Sequence, residues 1–198
     1  MQDKKQSLAP ELRFPGFEGE WKVTVLSEIL RERNEQYPEN ENYPLMAFVA
    51  NVGVCPKGDR YDRGALVKDA KTKKYKRTKL GDFIYSSNNL ETGSIGQNHF
   101  GNASISPVYS IFEVKNKYNN IFIGALLTKK EFISKMVQYR QGVIYGQWKI
   151  HETEFMKLTV PVPSLPEQQK IAECLSSVDD LIQAEADQLQ ALKEHKKA

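Results

Sequence analysis

The side chains best suited to bind an anion are concentrated between Lys57 and Lys79. This segment holds ten lysines and arginines against three aspartates, a balance of +7. The whole chain has a net charge of +3, so the remaining residues together carry −4 (+3 less +7). One basic segment in an otherwise slightly acidic chain indicates a polyanionic partner. A solvated loop with no partner would show the same charge run, and the sequence leaves that alternative open.

If the polyanion is a nucleic acid, residue types divide the contacts into two kinds. Phosphates are held by lysine and arginine, whereas base edges are read by arginine, lysine, asparagine and glutamine through paired hydrogen bonds. The predicted phosphate contacts are Lys71, Lys73, Lys74, Lys76, Arg77 and Lys79. The predicted base contacts are Arg140, Gln141, Tyr145, Gln147 and Lys149, with Asn98 as a further candidate. Two glycines within the second group would let its backbone approach the bases closely.

The sequence lacks the motifs of the enzymes that act on nucleic acids with a bound cofactor. Methylation of a base would require a glycine-rich cofactor loop and an Asn/Asp-Pro-Pro-aromatic motif, and neither occurs. ATP hydrolysis would require a Gly-Lys-Ser/Thr loop, and the chain contains no Gly-Lys pair. The three histidines and two cysteines are not spaced as metal ligands. The residues therefore give no sign of base methylation, of ATP hydrolysis or of a structural zinc site, and we expect no metal and no cofactor in this chain.

Two alternatives stay open beside a binding protein for nucleic acid. Asp82, Glu113 and Lys115 could form a nuclease site in which two carboxylates hold Mg²⁺ and the lysine polarises water or phosphate. The Glu-x-Lys pattern is weak, because it recurs at Glu194 and Lys196 on a predicted helix. The other alternative is an oligomerisation module whose basic segment is merely solvated.

Hydrophobic periodicity divides the chain into short elements followed by one long one. It predicts a helix over 21–33 and one or two helices over 119–139, with loops over 87–104 and 140–155. The predicted strands cover 44–52, 80–86, 105–116 and 155–163. We therefore expect an α+β fold, in which a mixed domain over 1–163 has a twisted β-sheet and flanking helices.

The last 35 residues predict a long coiled-coil helix over 164–198. Ser164 and Glu167 spell a capping box, and Pro166 stands in the first turn, where its missing N–H costs nothing. Apolar residues then follow at alternating spacings of four and three, with Glu185 as the polar exception. This seam consists of Ile171, Leu175, Val178, Ile182, Leu189 and Leu192. A helix of about 48 Å exceeds what the preceding domain needs to cover itself, so we expect a partner helix rather than packing on its own domain.

Four segments carry a family resemblance, and their order and spacing are more specific than any one of them. They are LAPELRFPGFEGEW, LGDFIYS, SISPVYSIFEV and FMKLTVPVPSLPEQQKIAECLSSVDDLIQAEADQLQALKEHKK. In these segments the chain resembles the specificity subunit of type I restriction–modification systems. The resemblance covers nearly the whole chain, and residues 34–150 match least.

The resemblance implies a fold and a set of partners. A full-length specificity subunit has two target recognition domains, each followed by a long helix, and the two helices pack antiparallel. Each domain reads one half of a split sequence in double-stranded DNA, and the subunit performs no chemistry. It docks methyltransferase subunits, which bind S-adenosylmethionine, and a restriction subunit, which uses ATP and Mg²⁺. This chain has one domain and one helix, so we expect a half-length subunit that forms a homodimer or pairs with another half-subunit through its seam.

The sequence also predicts where the protein resides. No apolar run approaches the ~18 residues that span a bilayer, and the N-terminus lacks the apolar stretch of a signal peptide. The two cysteines show no pairing pattern, which is typical of reduced thiols. We therefore expect a cytoplasmic protein without a membrane partner.

Overall fold

The computed structural model describes residues 8, 10–57, 73–144 and 147–196. The chain divides into a helical unit (Met1–Lys22 with Pro161–Ala198) and a mixed unit (Val23–Val160). This division differs from the expected one because the N-terminal segment groups with the C-terminal helix instead of with the mixed domain. Among the described residues, none of the helices is both long and apolar enough to cross a membrane.

The elements of the mixed unit are short, whereas the helical unit contains one long helix. In chain order the strands are β1 (Lys22–Val25), β2 (Leu30–Glu32), β3 (Gln36–Tyr37), β4 (Met46–Val49), β5 (Gly53–Pro56), β6 (Tyr75–Thr78), β7 (Phe83–Tyr85), β8 (Ile95–Gln97), β9 (Ala103–Ile105), β10 (Ser110–Val114), β11 (Gln141–Ile144), β12 (Gln147–Lys149) and β13 (Thr159–Val162). The helices are α1 (Leu26–Ile29), α2 (Asn120–Leu127), α3 (Lys130–Val137), α4 (Glu152–Phe155) and α5 (Leu165–His195).

The strands of the mixed unit form two principal sheets. A four-stranded antiparallel sheet has the order β2-β10-β7-β8, and a three-stranded antiparallel sheet has the order β3-β6-β9. Smaller two-stranded sheets pair β4 with β5, β11 with β12 and β1 with β13. The α+β fold predicted from the sequence is confirmed, including the single long helix at the C-terminal end.

The four-stranded sheet is buried on both faces, and the alternation of side chains along β7 and β10 explains how. Phe83 and Phe112 are paired in register and lie on one face, while Ile84 and Ile111 are paired on the other. The first face holds an aromatic cluster that centres on Phe155 of α4, with ring centroids 4.8 to 6.3 Å from its own. The second face packs against a hydrophobic cluster from β4, β5 and β9. Because successive side chains of a strand point to opposite faces, the sheet contributes residues to a hydrophobic cluster on each of its two faces.

The helix predicted over 21–33 is wrong. This stretch forms strand β1, the single turn α1 and strand β2. Val23 and Val25 are β-branched and favour extended backbone, and Leu30–Glu32 pairs with the central strand β10. The burial of Leu26 and Ile29 is as expected, since both are fully inaccessible. Local helical periodicity is outweighed here by the chance to extend a sheet.

The two predicted loops contain strands as well as turns. Residues 87–104 include β8 and the start of β9, and residues 140–155 include the hairpin of β11 and β12 followed by α4. These strands are only three or four residues long. Such short elements leave little periodicity to detect in a sequence.

The start of α5 differs from the predicted capping box. Ser164 is the residue before the helix, but its side chain makes no capping hydrogen bond. The Gln168 N–H donates to the Ser164 carbonyl, which is an ordinary first helical bond. Glu167 is occupied elsewhere: Arg13 donates to both of its carboxylate oxygens at 2.8 and 2.7 Å, and the Trp21 indole donates at 3.2 Å. This cluster groups the N-terminal segment with α5.

Candidate nucleic-acid interface

The predicted phosphate contacts lie around β6 and do not form one equivalent set. Lys73 and Lys74 precede the strand and Lys79 follows it, and all three are exposed. Among the described residues, no carboxylate lies within ion-pair distance of these three lysines. Their charges are therefore available to a polyanion. Lys71 lies outside the described residues, as does most of the basic segment.

Lys76 and Arg77 occupy opposite faces of β6 and are both engaged within the protein. Lys76 is buried, and its ammonium group donates to the Tyr109 carbonyl at 3.0 Å. The Arg77 guanidinium lies against the rings of Tyr37 and Tyr43. The structure thus gives Lys76 a position in the interior, which does not suit the predicted phosphate contact.

The turn after β6 is fixed by a network centred on Asp82. The carboxylate accepts hydrogen bonds from the Thr78 hydroxyl at 3.2 Å and from the Lys79 N–H at 2.7 Å. Arg33 donates to it twice, at 2.8 and 3.2 Å. Burial raises the pKa of Asp82, while Arg33, the Lys79 N–H and the Thr78 hydroxyl oppose the shift. The network holds Lys79 at a defined place beside the strand.

Asn98 belongs to the same support and not to the surface. Its side chain is fully buried, its amide donates to Thr78 and to the Gly101 carbonyl, and its oxygen accepts from the N–H groups of Phe100 and Gly101. Both ends of the amide are therefore used within the protein. The geometry gives Asn98 the role of shaping the 98–101 turn, and it no longer suits the predicted base contact.

The carboxylates of the nuclease alternative are bridged by an arginine. Arg33 lies 2.8 Å from Asp82 and 3.3 Å from Glu113, so a guanidinium stands between the two groups that would hold Mg²⁺. Arg31 first and Arg33 second lower the pKa of Glu113, against the opposing effect of burial. The Lys115 ammonium group donates to the Ser27 carbonyl at 2.7 Å. In the part of the chain that the structure describes, no three His, Cys, Asp or Glu residues cluster as a metal site.

The predicted base contacts map to the β11–β12 hairpin and its entrance. Gln141, Gln147 and Lys149 lie on the two strands, with Gln141 opposite Lys149 in the register. Tyr145 lies outside the described residues. Arg140 stands just before β11, where it donates to the Ser87 carbonyl at 3.2 Å and pairs with Glu91 at 2.8 Å. The hairpin therefore places the backbone of Gln141, Gln147 and Lys149 on two paired strands. Arg140 contacts the loop that contains Ser87 and Glu91.

The seam of α5 is exposed over most of its length. Leu175, Val178 and Ile182 are 36%, 47% and 62% exposed, and Leu189 and Leu192 exceed 50%. Ile171 is only half-buried and lines a shallow pocket with Leu12 and Phe14. Five large apolar side chains in a row on one helix are costly to expose to water.

Sequence reasoning missed the residues that support the site. Arg33 and Asp82 are 49 positions apart, and Tyr37 and Tyr43 precede Arg77 by 40 and 34 positions, so no local spacing connects them. The sequence presents Asp82 only as a possible metal ligand. Its place directly before the apolar strand 83–85 is the one local feature that indicates a buried carboxylate, and a buried carboxylate requires a charged or hydrogen-bonding partner.

Comparison with known protein families identifies the kind of domain that this chain forms. Residues 18–194 match the family model described as type I restriction modification DNA specificity domain. The chain belongs to this family. The match confirms the resemblance seen in the sequence, and it covers both the mixed unit and nearly all of α5. Among curated proteins, no sequence matches this specificity domain significantly.

Solved structures resemble the specificity domain in fold. One, described as the structural basis of complex assembly and conformational transition of the type I R-M system, has a TM-score of 0.52 and 14% identity, covering 86% of this chain and 41% of that chain. The S subunit of the type I restriction-modification system from M. genitalium has a TM-score of 0.51 and 15% identity, covering 87% and 42%. The HsdS subunit from Thermoanaerobacter tengcongensis has a TM-score of 0.48 and 16% identity, covering 89% and 41%. The specificity domain therefore spans about two fifths of these solved chains.

The bridging arginine should be essential for stability. Arg33→Met should destabilise the protein by about 3–5 kcal/mol, because Asp82 would remain buried without its charged partner. Arg31→Met, the matched control, removes an exposed contact to Glu113 and should cost less than about 1 kcal/mol. Urea unfolding of both variants and the unaltered protein measures the difference.

The pH dependence of the Arg33→Met variant gives a second readout. Without Arg33, burial should raise the pKa of Asp82 further, so the folded state should bind a proton more readily than the unfolded state. The destabilisation should therefore be largest above the folded-state pKa and should shrink as the pH falls through it. Equal losses in Arg33→Met and Arg31→Met at every pH would contradict this account.

Proposed function

We propose that the chain is a non-catalytic DNA-recognition subunit whose mixed unit reads one half of a split site in double-stranded DNA. The family match over residues 18–194 carries this proposal, because the family is that of DNA specificity domains. The exposed lysines around β6 support it, since their charges have no acidic partner among the described residues. They supply the sequence-independent part of DNA binding, which comes from neutralised phosphates.

Base reading is the task we assign to the β11–β12 hairpin. An antiparallel two-stranded ribbon fits the major groove of B-DNA, where the bases present distinct donor and acceptor patterns. Gln141 and Gln147 have the paired donor and acceptor that recognise adenine, and Lys149 can donate to guanine. The backbone register places Gln141 opposite Lys149, so the two predicted readers at the open end of the hairpin are neighbours.

The catalytic sites lie on partner subunits and not on this chain. A methyltransferase subunit supplies the S-adenosylmethionine site, and a restriction subunit uses ATP and Mg²⁺. Asp82 and Glu113 are held by Arg33 and therefore serve structure instead of metal binding. Purified chain incubated with DNA and Mg²⁺ should bind the DNA without cutting it, and cutting that Asp82→Asn abolishes would favour the nuclease instead.

Helix α5 is the surface through which we propose that two such chains pair, or that this chain pairs with another half-subunit. Its 31 residues extend about 46 Å, and the exposed seam has the spacing of a coiled coil. Burying each leucine or isoleucine of the seam against a partner gains about 1.5–3 kcal/mol. Pairing through α5 joins two recognition units, and thereby two half-sites, in one assembly.

The phosphate assignment predicts a particular salt dependence. Lys74→Ala should lower the slope of log K against log salt by about 0.9 and weaken all duplexes alike, because one released counterion is lost. Lys130→Ala, an exposed lysine on α3 with no predicted contact, is the matched control and should leave the slope unchanged. Fluorescence anisotropy over a salt series measures both, and an effect of Lys74→Ala on one sequence only would contradict the assignment.

The seam predicts self-association that charge can abolish. Replacing Leu175, Ile182 and Leu189 together by lysine should yield a monomer, because three charges cannot be buried in a helix interface. A control that replaces Ser177, Ala184 and Ala191 by lysine adds the same charges at the same spacing on another face of α5. Light scattering at micromolar concentration should show dimer for the control and for the unaltered protein. A monomeric unaltered protein would exclude homodimerisation.

A homodimer further predicts the symmetry of the site. Two identical recognition units related by a two-fold axis read the same bases on opposite strands, so the methylated site should be a split palindrome. Mapping of methylated adenines after addition of the cognate methyltransferase subunit measures it. An asymmetric site from this chain alone would rule out the symmetric assembly.

A further inference from the structure

Arg77 is held between two tyrosine rings on the surface of the three-stranded sheet. Its central guanidinium carbon lies 4.3 Å from the ring centroid of Tyr37 and 4.4 Å from that of Tyr43. Both distances are well inside the range of about 6 Å over which a cation and an aromatic ring attract each other. The rings thus hold the guanidinium in place before any ligand arrives.

Among the described residues, the guanidinium of Arg77 has no hydrogen-bond acceptor and no carboxylate partner. Its Nε is buried and makes no hydrogen bond. A buried donor without an acceptor costs about 1–3 kcal/mol, and such a cost in a folded protein calls for an explanation. Arg33 and Arg140 each pair with a carboxylate, although one terminal nitrogen of Arg140 is also buried without an acceptor. The buried Nε is out of reach of a ligand, but the two terminal NH2 groups can donate to one with in-plane acceptors.

Backbone contacts hold both tyrosines to the strand that carries Arg77. The Arg77 N–H donates to the Glu35 carbonyl at 3.0 Å, which places β3 and its Tyr37 beside β6. Arg77 is paired with Ser104 in the sheet register, and the Ser104 hydroxyl donates to the Tyr43 carbonyl at 3.0 Å. Arg77 and Tyr37 are therefore positioned by the three-stranded sheet, and Tyr43 is held to it by the Ser104 hydroxyl.

We propose that Arg77 is a specificity-determining residue that reads a guanine in the recognised half-site. This inference rests on the proposed function and changes the role of Arg77 from the phosphate contact expected from sequence. A guanidinium fork donates to guanine O6 and N7, which is the commonest specific contact in the major groove. That contact needs a planar, oriented fork, which the tyrosine rings supply. A guanidinium fork can also hold a phosphate, but a lysine ammonium group does so as a point charge, and Lys73 and Lys74 are exposed near Arg77 in the sequence.

The charges around this face favour a base over a phosphate. Burial, and secondly the negative charge of Glu39, raise the pKa of Tyr75, which lies on β6 two residues before Arg77. Glu39 is therefore within electrostatic range of Tyr75, on the strand that carries Arg77. A carboxylate in that position disfavours a phosphate group and does not disfavour a neutral base edge.

The experiment selects duplexes from a random pool with the full chain and sequences the bound DNA. The unaltered protein should enrich a sequence with guanine at one position. Arg77→Lys keeps the charge but loses the fork, so the preference for guanine at that position should fall by about 5- to 150-fold. Affinity for random DNA and its salt slope should not change. Tyr37→Ala, at a half-exposed ring, should weaken the same preference, and Tyr37→Phe should restore it.

Three other outcomes overturn the inference. An unchanged base preference in both Arg77→Lys and Tyr37→Ala would leave Arg77 with a structural role. An equal loss of affinity on every sequence would assign it to a phosphate. A protein that enriches no sequence at all would overturn the proposed function and this inference with it. Melting curves accompany each variant, and if Arg77→Lys does not fold, Tyr37→Ala decides between the outcomes.

Discussion

The pairing of Arg33 with Asp82 is the interaction on which the arrangement of the mixed unit depends. An isolated carboxylate as buried as that of Asp82 would cost several kcal/mol, so the end of β7 can be buried only where Arg33 reaches it. Arg33 also contacts Glu113 of β10 and thereby connects three strands of the four-stranded sheet to the turn that holds Lys79. One ion pair therefore determines both the packing of the core and the position of a surface cation.

Strand alternation separates interior from surface within the basic segment. Lys76 and Arg77 are neighbours with the same charge, yet one donates to a buried carbonyl and the other lies between tyrosine rings. The two residues are equivalent by charge alone. The pairing register of β6 with β9 places their side chains on opposite faces of the sheet. A basic segment in a β-rich domain consequently contains fewer surface cations than its charge suggests.

The sequence predicts the helices whose hydrophobic periodicity persists over many residues. It does not predict strands that form by pairing with distant segments of the chain. Helix α5 and the α2–α3 pair follow from patterns that persist over many residues. The segment 21–33 has enough apolar residues for a helix, but β2 gains more by joining β10. The sequence predicts the candidate site only from the residue types of its segments, without their positions in the fold. The tyrosines around Arg77 are 34 or more positions away from it in the chain. Asn98 is buried because its side chain bonds to Thr78 and to its own turn. Residue spacing in the sequence reveals neither arrangement.

The cluster of Arg13, Trp21 and Glu167 has a consequence for synthesis of the chain on the ribosome. Arg13 and Glu167 are separated by 154 positions, so at about 5–20 residues per second the carboxylate is made roughly 8–30 s after the arginine. During that interval all of Val23–Val160 is synthesised, while the Glu167 carboxylate that binds Arg13 and Trp21 does not yet exist. The contact between the N-terminal segment and α5 therefore forms only after the residues of the mixed unit have been made, which separates the two units in time during synthesis.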